Sequence, residues 1–72
     1  MRDKRIDKLA ANIRAERNRK KISQENISAA IGLSARSLSS IENGWQTPSI
    51  FVVHDIARAL DIDINVLLKD ID

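Results

Sequence analysis

Two short apolar stripes at helical spacing, set on either side of one glycine, constrain this chain more than any other feature. Ile27, Ala30 and Ile31 fall on one face of a helix of only two turns. Gly32 follows, the residue best able to take the left-handed conformation that stops a helix. Ser23 precedes this helix as an N-cap, with Glu25 in the first turn, and Ser34 is a second N-cap after Leu33. Beyond it, Leu38 and Ile41 are the large apolar residues before Asn43-Gly44, a strong stop signal. The second helix of the pair therefore has a narrow apolar stripe and an outward face of Ala35, Arg36, Ser37, Ser39 and Ser40. Ser28 and Ala29 are small enough to let the two helices approach. The arrangement describes a helix-turn-helix over about residues 24–44.

The flanking segments are helical too. Ile6, Leu9, Ala10 and Ile13 predict a first helix over about 6–18, ending in the basic cluster Arg19-Lys20-Lys21. Thr47-Pro48-Ser49 reads as a turn leading to another N-cap, and Ile50, Val53, Ile56, Ala57 and Leu60 pattern a fourth helix. Asp63 caps a short fifth one, with Ile62 placed to staple onto Leu67. Val66 and Leu67 are expected to close the core, and the chain to fray from Lys69 to Asp72. No strand pattern is visible. The expectation is an all-α, compact five-helix domain occupying 1–72 as a single unit.

Composition excludes several classes. Among 72 residues there is no cysteine, so neither a disulfide framework nor thiolate chemistry is available. No apolar run approaches the roughly 20 residues that span a bilayer. The basic N-terminal stretch lacks the continuous apolar segment of a secretory signal, so no membrane association and a cytoplasmic location are expected. One isolated histidine, no glycine-rich phosphate loop and no base beside the serines argue against an enzyme, a metal or a cofactor. Net charge is only +2, but it is uneven: residues 1–53 hold ten Lys/Arg against five Asp/Glu, and residues 54–72 hold two against five. Such asymmetry suits a chain that offers one side to a polyanion.

The runs Ile22-Ser23-Gln24-Glu25, Ile31-Gly32-Leu33-Ser34, Leu38-Ser39-Ser40-Ile41-Glu42-Asn43-Gly44, Pro48-Ser49 and Ala57-Arg58-Ala59-Leu60 carry a resemblance. With them the chain resembles the phage-repressor and Cro-like helix-turn-helix family, also called the xenobiotic-response-element family, over about residues 6–68. The resemblance implies a lambda-repressor-like DNA-binding domain whose recognition helix, about 34–42, enters the major groove. It places base contacts on Ala35, Arg36, Ser37 and Ser40, with Arg36 able to donate two bonds to guanine. Phosphate contacts fall to Ser23, Gln24, Ser34, Ser39, Asn43 and Trp45, whose indole either donates to phosphate or merely covers the loop. Glu42, at a helix end whose dipole disfavours a carboxylate, is implied to pair with Arg17 of the first helix.

Departures from the family pattern bear on local structure. Lys21 and Asp61 stand where relatives often end helices with glycine, which implies a left-handed side-chain-bearing residue or an altered turn. Glu16 replaces a usual leucine, and His54 an apolar residue, so His54 is expected to be a partly buried packing residue. Phe51 and Val52 occupy positions normally polar. With Ile64, Leu68 and Ile71 they are the candidate dimer interface. The implied function is a sequence-specific transcriptional regulator binding double-stranded DNA, as a homodimer on a palindromic operator. The alternative is an antitoxin-like or anti-repressor module whose main partner is protein.

Overall fold

Every helix begins on a side chain that accepts a hydrogen bond from its own first turn. In the computed structural model, which describes residues 3–71, α1 spans Lys4–Arg19 with Asp3 accepting from the Arg5 N–H. Ser23 accepts from Asn26 N–H ahead of α2 (Gln24–Ile31), and Ser34 from Ser37 N–H ahead of α3 (Ala35–Glu42). Ser49 serves Val52 N–H at the start of α4 (Ile50–Ala59), and Asp63 serves Asn65 N–H at α5 (Ile64–Leu67). Each such cap is worth about 0.5–2 kcal/mol. That matters here, because helices shorter than about 12–15 residues are marginal on their own. Four caps lie where the sequence places them. Asp3 was not anticipated, and it starts α1 earlier than Ile6. A bidentate contact from Arg5 and the Arg5 N–H hold the Asp3 carboxyl down at about 2.

The five helices close a ring of contacts: α1 on α3, α3 on α2, α2 on α4, α4 on α5, and α5 back on α1. Inside it lie Ile13, Ile27, Leu38, Ile41, Val53, Ile56, Ala57, Leu60 and Leu67. No strand occurs among the described residues. The architecture is all-α with five helices, as the periodicity predicts.

Several expected core positions lie outside it. Ile50 is 58% exposed, because it opens α4 on the flank of the helix, off the face shared by Val53, Ile56, Ala57 and Leu60. Val66 is also exposed: α5 is a single turn, and Leu67 alone fills the space it can reach. Ala29 and Ala30 face solvent, so the close approach to α2 is made at buried Ser28, whose hydroxyl donates to the Glu25 carbonyl. His54 is exposed rather than a packing residue. Val52 is half-buried and rests against the core, as does Ile64.

Nor does the chain fray after Leu68. The Asn12 amide donates to the carbonyls of both Leu67 and Lys69, at 2.9 Å each, and Ile71 is half-buried. These bonds satisfy carbonyls that so short a helix cannot pair itself. Asp72, and the Met1-Arg2 end of the basic stretch, lie outside the described residues.

The two glycine substitutions keep the turn and accept the strain. Lys21 has φ 58° and Asp61 has φ 56°. After α1, Ile22 N–H reaches the Arg17 carbonyl and Lys21 N–H the Asn18 carbonyl; after α4, Ile62 and Asp61 repeat the pattern on Ala57 and Arg58. This paired arrangement ordinarily has glycine at the left-handed position. A side chain there costs roughly 1–2 kcal/mol, and glycine's larger unfolded-state entropy offsets part of any relief. Lys21→Gly is therefore expected to raise stability by roughly 0.5–1 kcal/mol, read from the urea midpoint, with Asp61→Gly gaining less because aspartate tolerates the region better. A lowered midpoint for both would show that these turns carry no strain.

Candidate nucleic-acid interface

The α2–α3 turn is set by backbone conformation, not by lack of space. Gly32 has φ 74°, and nothing stands within 4 Å of where a Cβ would project. Leu33 N–H closes the turn on the Ser28 carbonyl at 2.9 Å. Leu38, Ile41 and Glu42 are buried and fix the inner face of α3. At about 100° per residue, Arg36 and Ser40 then lie at the centre of the outward face, with Ser37 and Ser39 on either side. Arg36 is exposed, and Ala35, Ser37, Ser39 and Ser40 are half-exposed.

The far end of α3 is held by a buried carboxylate. Arg17 Nε donates to Glu42 Oε2 at 2.6 Å and its Nη2 to Oε1 at 3.0 Å, a two-pronged pair in which Glu42 is 2% exposed. Arg17 Nη1 continues to the Ile22 carbonyl, fixing the start of α2. Gln24 Nε2 reaches the same Glu42 Oε1 at 3.2 Å, and Arg14 donates to the Glu42 backbone carbonyl at 2.9 Å. The hydrogen-bonded Glu42 carboxylate raises the Arg17 guanidinium above its ordinary range, against the opposing effect of burial. Among the described residues no buried side-chain polar atom lacks a partner. Arg14 was missed in the sequence. Its signal was its spacing three residues before Arg17, which puts both on one side of α1.

Other candidate contacts are partly engaged within the chain. The Ser34 and Ser37 hydroxyls bond each other at 3.0 Å as part of the α3 cap. The Asn43 amide folds back onto the Ser39 carbonyl and hydroxyl. The Ser23 hydroxyl accepts from Asn26 N–H, which leaves its own proton to donate. Gln24 likewise retains a second amide hydrogen beyond the bond to Glu42. The Ser40 carbonyl accepts from the Trp45 and Gln46 N–H groups, closing α3 at Gly44. Trp45 is 75% exposed, so its ring does not cover the loop. Glu16, in place of a core leucine, is half-buried and bridges to Arg19 at 2.7 Å.

Two short helices in this geometry, the second offering a small polar face and one free cation, define a helix-turn-helix DNA-binding protein. A helix-turn-helix family model matches residues 13–67. The chain belongs to that family of DNA-binding transcriptional regulators, which are not enzymes. It is 40% identical over 60 residues to the ImmF control region 10 kDa protein of Bacillus phage phi105, covering 83% of this chain and 67% of that one. It is 37% identical over 65 residues to an uncharacterized HTH-type transcriptional regulator, y4dL, of Sinorhizobium fredii. That match takes in 90% of this chain but 33% of the regulator, so the chain spans about a third of that relative's length. The restriction-modification controller protein C.AhdI of Aeromonas hydrophila superposes with a TM-score of 0.82 at 29% identity, over 86% of this chain and 94% of that one. No helix among the described residues is long and apolar enough to cross a membrane.

Removing one partner of a buried, hydrogen-bonded ion pair leaves a charge that the interior cannot solvate, at a cost of about 3–5 kcal/mol. Glu42→Ala is expected to lose that much in urea unfolding. A loss below about 1 kcal/mol would place the pair among ordinary surface bridges.

Proposed function

We propose that the protein is a sequence-specific regulator that lays α3 in the major groove of double-stranded DNA. The observation carrying this reading is the outward face of α3. It presents small side chains and an Arg36 without a partner among the described residues, while buried Leu38, Ile41 and Glu42 hold the opposite face still. A groove wall can approach such a face closely, and a guanidinium there can bond guanine twice. In this reading Arg36, Ala35, Ser37 and Ser40 read bases, with Ala35 suited to a thymine methyl. Ser23, Gln24, Ser34, Ser39, Asn43 and Trp45 hold phosphates and set register.

The protein acts as a homodimer on a palindromic operator, in the cytoplasm, with its two recognition helices about 34 Å apart. Of the interface residues inferred from sequence, Phe51 is the most exposed, and Leu68 and Ile71 line a groove with Ile6 and Leu9 of α1. Exposed Phe51, Ile50 and Trp45 also favour a second reading, an antitoxin-like or anti-repressor module whose main partner is protein.

Selection of sites from random duplex DNA separates the two. A motif is expected to emerge, with affinity falling steeply as salt rises, at a log–log slope of about −0.9 per neutralised phosphate. Arg36→Ala is expected to lose about 1–3 kcal/mol at one base position and to relax preference there. No motif, or equal weakening on all sequences, defeats readout by Arg36.

A further inference from the structure

The outward face of α4 is covered by nothing among the described residues and is not used by the proposed DNA surface. Val53, Ile56, Ala57 and Leu60 point inward. At about 100° per residue, Phe51 falls within about 10° of the direction opposite them, with Asp55 about 30° to one side and Arg58 about 30° to the other. Phe51 is 77% exposed, and Asp55 and Arg58 are exposed as well. Asp55 meets only the neighbouring His54, at 3.3 Å, and Arg58 makes no ion pair among the described residues.

We propose that this face pairs with the same face of a second copy, the two α4 helices running parallel about a two-fold axis along their length. Phe51 lies on the partner's Phe51, and Asp55 lies against the partner's Arg58.

The charge pattern selects both the occupant and the direction. A two-fold axis parallel to the helices carries the Asp55 flank of one copy onto the Arg58 flank of the other, giving two opposite-charge contacts around an apolar centre. An antiparallel pair leaves each flank facing itself, aspartate on aspartate and arginine on arginine. Three residues advance about 4.5 Å along a helix, a gap these two side chains can bridge. Rotation about that axis also keeps both copies of α3 at the same end of the pair. A palindromic duplex has the same two-fold symmetry, so the pairing rests on the two-fold DNA reading for its use, though not for its formation. One helix face is well under the roughly 800 Å² per partner of a standard interface, so the DNA-free pair is weak and DNA completes it.

The chain has no cysteine, so one introduced thiol reports its own neighbour. Axes about 8–10 Å apart leave facing midline Cα atoms about 3.4–5.4 Å apart, which overlaps the roughly 4.4–6.8 Å a disulfide needs. In the antiparallel pair the two positions are displaced by about 10 Å along the helices. Phe51→Cys is therefore expected to form a disulfide-linked dimer about tenfold faster than Lys20→Cys, an exposed control at the end of α1. In sedimentation equilibrium without DNA, Asp55→Arg and Arg58→Asp each weaken self-association, and the two together restore it. Equal cross-linking rates, or no restoration by the double exchange, overturn the proposal. Binding to a duplex carrying one half-site is followed in parallel. A chain that binds the half-site without linking through position 51 keeps the DNA reading and loses this one. A chain that links but binds no duplex keeps the pairing and loses the DNA reading.

Discussion

A carboxylate at the C-terminal end of a helix, buried to 2% exposure, is unfavourable on two counts: the helix dipole opposes it and water cannot reach it. Glu42 survives there because three helices contribute to its environment. Arg17 from α1 grips both oxygens, Gln24 from α2 donates to one of them, and Arg14 takes the backbone carbonyl at the same residue. The arrangement ties the position of α3 to those of α1 and α2. An eight-residue helix has little stability of its own, so its placement is imposed by such contacts and by the cap at Ser34. The outward orientation of Arg36 is a consequence of that placement.

What the sequence made legible was local. The caps at Ser23, Ser34, Ser49 and Asp63 each depend on residues two or three positions away, and Gly32 on its own backbone. Asp3 obeyed the same rule and could have been read from it. Illegible features were of two kinds. Asn12 reaches carbonyls more than fifty residues away, a pairing that no periodicity encodes, and without it the segment after Leu68 reads as loose. Ile50 and Val66 carry the right chemistry for a core but lie where no other helix reaches, which is a property of the assembled ring and not of the stripe. Of the site itself, Arg17 and Glu42 could be put together only through the family resemblance. Spacing alone does not join positions 17 and 42.

The basic half of the chain also takes on a different meaning once its partners are known. Arg5 is bound to Asp3, Arg19 to Glu16, and both Arg14 and Arg17 end on Glu42. Arg14 and Arg17 therefore tie α1 to α3, whereas Arg5 and Arg19 stay more than 60% exposed in local pairs that contribute little to stability. A count of charges overstates the polyanion-facing surface of so small a domain.

That redistribution sharpens the role of the outward face of α3. With Arg14 and Arg17 committed to internal bonds, Arg36 is a cation with no partner among the described residues, and the serines around it are too short to compete for the same ligand. Several of those serines and Asn43 are already joined in caps at the two ends of the helix, which orders them before any DNA arrives. Ordering a contact surface in advance lowers the entropy lost on binding. In a domain with so few residues to contribute contacts, the proposed base readout then depends less on the number of bonds than on how firmly the buried Glu42 network fixes α3.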